Sequence, residues 1–421
     1  MINAERYKSK RIIVVGLARS GQACANLLCE LGALVRVTDL QDNETIRAAG
    51  VQLRSRGVEV ELGGHSSDFV KGCDLMVISP GVMPNAQPVL WAQDQNIPVI
   101  SEIEFAFGIC PADVIAVTGS SGKTTVTTLI GKMIEAGGQR AFTCGNIGVP
   151  FCAQVARMRK GDYVSLEVSS FQLERTVNFK PKIALILNFA RNHLDRHKDM
   201  EEYLNAKKRI FRNQDGDDYL ILNADVPVLK EAAAEAKSRV IYFRAGDGLN
   251  PNQAAVASVG SVLGIDKDVV MKVFRDFKCI EHRMEFVAEV NKVKFINDSK
   301  ATLADSTIWA LENINSPVIL IAGGRHKGVD YSLIGPSARG KVKELIVIGE
   351  AKENIINDLK GALKIDEASS LQEAVQKAFS RASPGDCVLL SPMCSSFDMF
   401  SSYEERGRAF KESVRKLAAS V

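Results

Sequence analysis

Gly119, Ser120, Ser121, Gly122, Lys123, Thr124 and Thr125 are consecutive, and this run is the one best suited to chemistry on phosphate. Glycines let backbone N–H groups approach phosphate oxygens, and a helix opening just behind them adds partial positive charge. Lys123 supplies a point charge for β- and γ-phosphates, and the Thr124 hydroxyl is a ligand type for Mg²⁺. Only Ser120 and Ser121 separate the glycines, fewer than in the common phosphate loop. The context fits, because Val114–Thr118 reads as a buried strand and Lys123–Ala136 as a helix. An ordinary glycine-rich turn is the rival reading, and it leaves Gly-Lys-Thr without a purpose.

Other polar groups end apolar strands. Glu167 closes Tyr163–Val168, where an open α/β sheet meets its ligand crevice, and a carboxylate there suits Mg²⁺. Taken alone, a solvent-facing glutamate is the simpler reading. His193 follows the strand Ile183–Asn188 and can ligate a metal or orient a phosphate. Lys207, Lys208 and Arg209 are adjacent in a helical segment, Tyr203–Phe211. They cannot all face one way, so composition alone suggests a solvated basic face. Asn297–Thr302, Gly323–Gly328 and Ser391–Asp398 are polar loops after three further strands, a rim fit for a small polar ligand. Gly16-Leu-Ala-Arg-Ser-Gly21 resembles a dinucleotide turn but has Ala18 where close approach to a pyrophosphate needs glycine.

These groups need a scaffold, and the chain is long enough to supply several. It has 421 residues, against roughly 100–200 for one domain. Strands at Arg11–Gly16, Leu34–Asp39 and Asp74–Gly81 alternate with a helix over 19–31, which indicates a Rossmann-like βαβ unit. A second unit begins near Ala112 and a third after His282-Arg283, with strands at Val293–Ile296, Val318–Ala322, Leu345–Ile348 and Cys387–Ser391. The expected class is α/β in three domains, 1–111, 112–281 and 282–421, the middle one like a phosphate-loop ATPase and the last Rossmann-like. Basic residues number 53 and acidic ones 50, so a broad nucleic-acid surface is not implied. Nine cysteines without a C-x-x-C pair read as buried thiols of a reducing compartment. No signal-peptide pattern or membrane-length apolar run is present, so the expected location is the cytoplasm.

In this order the motifs resemble the Mur ligase family over nearly the whole chain. They are Thr118–Thr125, Gly145-Asn-Ile-Gly148, Glu167-Val-Ser-Ser-Phe-Gln-Leu-Glu174, His193-Leu-Asp195, His282-Arg283-Met-Glu285 and Asn297-Asp-Ser-Lys-Ala-Thr302. Val15–Gly21, Ile78-Ser-Pro-Gly81 and Ser391–Phe400 with Tyr403-Glu-Glu-Arg-Gly407 resemble the D-glutamate-adding branch. The resemblance implies an ATP-dependent amide ligase of peptidoglycan precursor synthesis, acting as a monomer. UDP-N-acetylmuramoyl-L-alanine and D-glutamate would be joined through an acyl phosphate. It implies that the 119–125 loop, Asn252, Arg283, Asp298 and Lys300 bind ATP. Thr124, Glu167, His193 and Lys207 would serve two magnesium ions, Lys207 after carbamylation by CO₂. Lys123, Glu167, His193 and Lys207 are the implied catalytic set. Leu17, Ala18, Arg19, Asp39, Gly81, Asn146 and Gln172 would hold the UDP-sugar, and Thr302, Lys327, Ser396 and Tyr403 the amino acid.

This sequence departs from the family pattern at His326, commonly Asp, at Leu303, frequently Asn, and in a short passage from Tyr242 to Asn252. Either Asn250 or Asn252 is therefore the candidate for the adenine. A dehydrogenase is disfavoured by Ala18, and a non-catalytic relative by retention of Lys123, Glu167 and His193. The Asp-Asn-Pro-Arg run typical of diamino-acid ligases is absent.

Overall fold

Short runs of Val, Ile and Leu covered on both faces become parallel strands, and the described residues form three sheets built mainly of them. The computed structural model describes residues 4–146, 148–190, 196–277, 280–326 and 328–420. They fall into two units, Met1–Phe277 and Lys278–Val421.

In the first unit, Arg11–Val15 (β1), Leu34–Asp39 (β2), Glu59–Leu62 (β3), Leu75–Ile78 (β4) and Val99–Ser101 (β5) form a parallel sheet in the order β3-β2-β1-β4-β5. The order reverses between β1 and β4, so the loops after them share one crevice at the strands' carboxyl ends. Asp113–Thr118 (β6), Ala141–Gly145 (β7), Tyr163–Glu167 (β8), Ile183–Ile186 (β9), Tyr219–Asn223 (β10) and Arg239–Phe243 (β11) form a second parallel sheet, β11-β10-β9-β6-β8-β7. One face of β6, through Ile115 and Val117, packs on the helices Lys123–Ala136 and Pro251–Leu263. Its other face, through Val114 and Ala116, joins a core that runs on into Ile12 and Val14 of β1.

Two buried carboxylates join these sheets. Glu102 and Glu104 lie on the helix Glu102–Phe107, which follows β5. Glu102 accepts the Cys152 N–H at 2.8 Å, and burial pushes its carboxyl above the usual range. Glu104 accepts the backbone N–H groups of Val177, Asn178 and Phe179 at 2.7–3.0 Å, plus the Asn178 side-chain amide at 3.2 Å.

The second unit contains Glu285–Val290 (β12), Val293–Asn297 (β13), Val318–Gly323 (β14), Val342–Ile348 (β15), Ile365–Glu367 (β16) and Cys387–Leu390 (β17), ordered β12-β13-β17-β14-β15-β16. All its pairings are parallel except β12 with β13. The loops after β13, β14 and β17 open at one end of this sheet.

The sequence reading assigned no strand at β3, β5, β7, β12 or β16. All five are sheet edges, where one side is solvated and polar residues interrupt the apolar run. The helix carrying Lys207 spans Met200–Lys208, not Tyr203–Phe211. Asp199 caps its start by accepting the Glu202 N–H, a signal four residues upstream of Tyr203. The cysteines among the described residues are free thiols.

Glu104→Ala would leave three backbone donors without their acceptor, the one on Phe179 buried. A loss of roughly 2–4 kcal/mol in stability is expected. Thermal and denaturant unfolding checks this, and an unchanged midpoint would show that the carboxylate does not hold the two sheets together.

Candidate active site

The loop between β6 and the helix Lys123–Ala136 is held from several sides. Ser121 N–H donates to Asn188 Oδ1 at 2.9 Å, and Asn188 Nδ2 donates back to Ser121 O and Oγ. Ser120 Oγ accepts the Ala190 N–H at 3.0 Å and lies 3.3 Å from Tyr203 Oη. Gly122 has φ 77°, and a Cβ there would sit 2.5 Å from Asn252 Oδ1, so only glycine fits.

Two lysines converge on this loop. Lys123 Nζ donates to Gly119 O at 2.8 Å and Ser120 O at 3.3 Å. Lys207 Nζ donates to the same Gly119 O at 3.0 Å, reaches Thr118 Oγ1 at 3.5 Å, and lies 4.4 Å from the centre of the Tyr203 ring. Lys207 is 1% exposed. Burial, and then the Lys123 charge, hold its amine well below the usual lysine range. The basic-face reading therefore fails for Lys207. Lys208 is half-buried and paired with the exposed Glu235.

Glu167 ends β8 and is also 1% exposed, so the solvent-facing reading fails too. Its Oε1 accepts Asn146 Nδ2 at 3.0 Å. Its Oε2 has no partner among the described residues, nor does the buried Thr124 Oγ1. Two uncommitted oxygen donors, one at the end of β8 and one in the first turn of the helix that follows the neighbouring β6, fit a hard cation that takes few protein ligands and keeps water or phosphate oxygens. Among the described residues, no cluster of three or more His, Cys, Asp or Glu is placed to hold a metal. His193 and Lys327 lie outside the described residues.

Beside the loop, a cavity of ≈ 200 Å³ is lined by Thr125, Leu129, Asn250, Asn252, Gln253, Phe274 and Phe277. Its apolar and aromatic walls with amide groups suit a flat heterocycle. Asn250 Oδ1 is engaged in capping the helix Pro251–Leu263 through Gln253 N–H. Asn252 lies against Gly122.

At the carboxyl ends of β1 and β2, Asp39 accepts the N–H groups of Leu17 at 2.6 Å and Gln41 at 2.8 Å, and so shapes the turn at Leu17, Ala18 and Arg19. Ala18 and Arg19 are exposed there, as is Gly81 after β4. Gln172 is buried. Its Oε1 accepts Ser169 N–H at 3.0 Å, while its Nε2 has no partner among the described residues.

In the unit Lys278–Val421, Asp298 is buried after β13 and accepts Met284 N–H at 3.2 Å and Ser391 Oγ–H at 3.1 Å. Burial pushes its carboxyl up to about 7, against smaller opposing effects from those two hydrogen bonds and then from Arg283. Lys300 Nζ lies 5.3 Å from the centre of the Tyr403 ring, and Thr302 N–H donates to Lys300 O at 2.9 Å. Ser396 is buried, and its carbonyl accepts Phe400 N–H at 2.8 Å. His326 Nδ1 is 3.0 Å from Tyr331 Oη.

Arg406, missed in the sequence, ties these loops together at 1% exposure. It donates to Ser299 O and Oγ, Cys394 O, Ser395 O and Gly323 O, one or more from each of the three loops. The Tyr403-Glu-Glu-Arg-Gly407 run was its one signal. Asn188, Tyr203, Arg196 and His197 were missed as well.

The chain matches three protein-family descriptions. Residues 10–101 match the Mur ligase MurD-like N-terminal domain, 117–291 the Mur ligase middle domain, and 282–394 the Mur ligase glutamate ligase domain. It is 38% identical to the UDP-N-acetylmuramoylalanine–D-glutamate ligase of Thermoanaerobacter pseudethanolicus, over 97% of this chain and 99% of that one. Identity to the protein of that name from Koribacter versatilis is 41%, over 98% of each. The crystal structure of UDP-N-acetylmuramate-alanine ligase from Thermotoga maritima superposes with TM-score 0.59 at 17% identity, covering 98% of this chain and 100% of that one, which is a likeness of fold.

Lys123→Ala is expected to fold normally and lose roughly 10²–10³-fold in nucleotide turnover; turnover at the wild-type rate would contradict the loop's role. A second expectation concerns pH. Asp298 takes up a proton on folding between its ordinary 3.8 and about 7. Its contribution to stability is therefore full below 3.8 and lost as pH rises to about 7. Denaturant titrations across that window should show the wild type losing stability relative to Asp298→Asn, and a pH-independent difference would contradict the burial effect.

Proposed function

The chain belongs to the Mur ligase family, and from that we infer that it joins D-glutamate to UDP-N-acetylmuramoyl-L-alanine at the expense of ATP, in peptidoglycan precursor synthesis. The observation that carries the site assignment is the pair of lysines on the Gly119 carbonyl, beside the uncommitted oxygens of Thr124 and Glu167.

The acceptor's terminal carboxylate attacks the γ-phosphorus of ATP, ADP leaves, and an acyl phosphate forms. The amine of D-glutamate attacks the acyl carbon, the C–O bond to phosphate breaks, the nitrogen loses its proton, and an amide and inorganic phosphate remain. Both reactants are anions, so catalysis rests on positioning and charge neutralisation. Lys123 faces the phosphates, and the N–H groups of 119–125 cradle them. Thr124, Glu167 and His193 would hold Mg²⁺, which neutralises phosphate charge when bound. Asn252 lies by the adenine cavity, with Asp298, Arg283 and Lys300 as further nucleotide ligands. Leu17, Ala18, Arg19, Asp39, Gly81, Asn146 and Gln172 take the UDP-sugar, and Thr302, Lys327, Ser396 and Tyr403 the D-glutamate. The three segments 1–111, 112–281 and 282–421 divide these tasks. The same reading makes the protein a cytoplasmic monomer; among the described residues no helix is long and apolar enough to cross a membrane.

Carbamylation of Lys207 belongs to this proposal. The neutral amine adds to the carbon of CO₂ and releases a proton, leaving a carboxylate for a second Mg²⁺. Burial beside Lys123 favours that neutral amine, and the surface pairing of Lys208 does not.

Phosphate release with the UDP-acceptor, ATP and a panel of amino acids tests the function. D-glutamate should support it, with little from L-glutamate, D-alanine, L-lysine or meso-diaminopimelate; a diamino acid as best substrate would move the chain to another branch of the family. Lys207→Ala should be inactive and partly restored by short carboxylic acids, while full activity without added acid would refute the carbamate.

A further inference from the structure

Arg196 belongs to neither the phosphate loop nor the oxygen donors beside it, yet it reaches across to the first sheet. Its Nη1 donates to Pro80 O at 2.8 Å and its Nη2 to Val82 O at 3.2 Å. Nη2 also meets Glu174 Oε2 at 3.1 Å, and the guanidinium lies 4.1 Å from the centre of the Phe171 ring. The side chain is 7% exposed, so these are charge-assisted bonds out of bulk water.

The two carbonyls flank Gly81. The turn is tied from the other side by Val82 N–H on Ser79 O at 3.0 Å and by Ser79 Oγ–H on Gly16 O at 2.9 Å. No peptide bond among the described residues is cis. In a planar trans peptide the C=O and the following N–H point in opposite directions. Drawing the carbonyls of Pro80 and Val82 toward Arg196 therefore turns the N–H groups of Gly81 and Met83 away from it. Neither N–H has a partner among the described residues. Two alternate backbone donors on the side of this turn away from Arg196, one of them on the exposed Gly81, are suited to an anion.

The same cluster continues into the middle of the unit. Glu174 Oε1 lies 3.6 Å from His197 Nδ1, and His197 Nε2 lies 2.9 Å from Ser170 Oγ, at the start of the helix Ser170–Leu173 that carries Gln172. Gly81 and Gln172 are both assigned above to the UDP-sugar. We propose that Arg196 is a positioning residue: it clamps the 80–82 turn so that the Gly81 and Met83 N–H groups face the anionic part of the UDP-acceptor, and it sets that turn against the Gln172 loop.

This rests on the function inferred above, and calorimetry separates the two. The titrations use UDP-N-acetylmuramoyl-L-alanine and, separately, a non-hydrolysable ATP analogue, with wild type, Arg196→Ala and Arg196→Lys. Arg196→Ala should bind the acceptor roughly 10–100-fold more weakly, the loss expected for two charge-assisted bonds, with affinity for the ATP analogue unchanged. Arg196→Lys keeps the charge and one bond, so it should fall between, and its KM for the acceptor should rise while its KM for ATP does not. If Arg196→Ala does not fold, the lysine variant carries the same comparison. Unchanged acceptor affinity, or an equal loss for both ligands, overturns the positioning role and leaves the function standing. A wild type that does not bind the acceptor overturns both.

Discussion

A single carbonyl oxygen organises the central site. Gly119 O receives Lys123 Nζ at 2.8 Å and Lys207 Nζ at 3.0 Å, one from the helix that follows the loop and one from a helix about eighty residues later. Burial acts most strongly on the Lys207 amine, and repulsion from Lys123 on the same acceptor adds to it. Lys207 is pressed toward the neutral amine between the Tyr203 ring and the loop backbone, with Lys123 beside it at the loop. A lysine at the loop suits phosphate oxygens, and a buried neutral amine suits CO₂. The arrangement requires β6 to end where it does, Gly122 to adopt its left-handed conformation, and Asn188 to hold Ser121.

Loops cannot satisfy their backbone groups through a regular ladder, and in this protein buried charges do part of that work. Glu104 gathers three consecutive N–H groups from 177–179, Arg406 gathers carbonyls from three loops of the second unit, and Arg196 gathers two carbonyls around Gly81. A buried charge is costly unless several dipoles point at it, so such a group and its loop specify each other. The result is a set of irregular segments whose backbone groups are bound by buried side chains, which suits the placement of phosphate and carboxylate groups.

Legibility in the sequence followed burial. Interior strands such as β6, β9, β14 and β17 are continuous apolar runs and were readable, as was the strand–loop–helix at 113–136. The five strands that escaped are all edges, with sequences such as Glu-Val-Glu-Leu at β3. At the site, Lys123 and Thr124 announced themselves by spacing. Glu167 and Lys207 did not, because a carboxylate at a strand end and a lysine in a basic triplet are ordinarily solvated. Only the family resemblance singled them out, and the fold supplies the reason in their burial. Arg196 had no local signal and Arg406 only the motif around it, since their partners lie 114 and 83 residues away for Val82 and Gly323. Long-range hydrogen bonds to backbone carbonyls leave no pattern in side-chain types.

Phosphoryl transfer to a carboxylate is the chemical claim on which the rest stands. It is tested most directly by following oxygen. With both oxygens of the acceptor's terminal carboxylate labelled as ¹⁸O, and D-glutamate and ATP unlabelled, the released phosphate should carry a single ¹⁸O atom by mass spectrometry. The new amide carbonyl should keep the other. Unlabelled phosphate, or AMP and pyrophosphate in its place, would contradict the acyl-phosphate route.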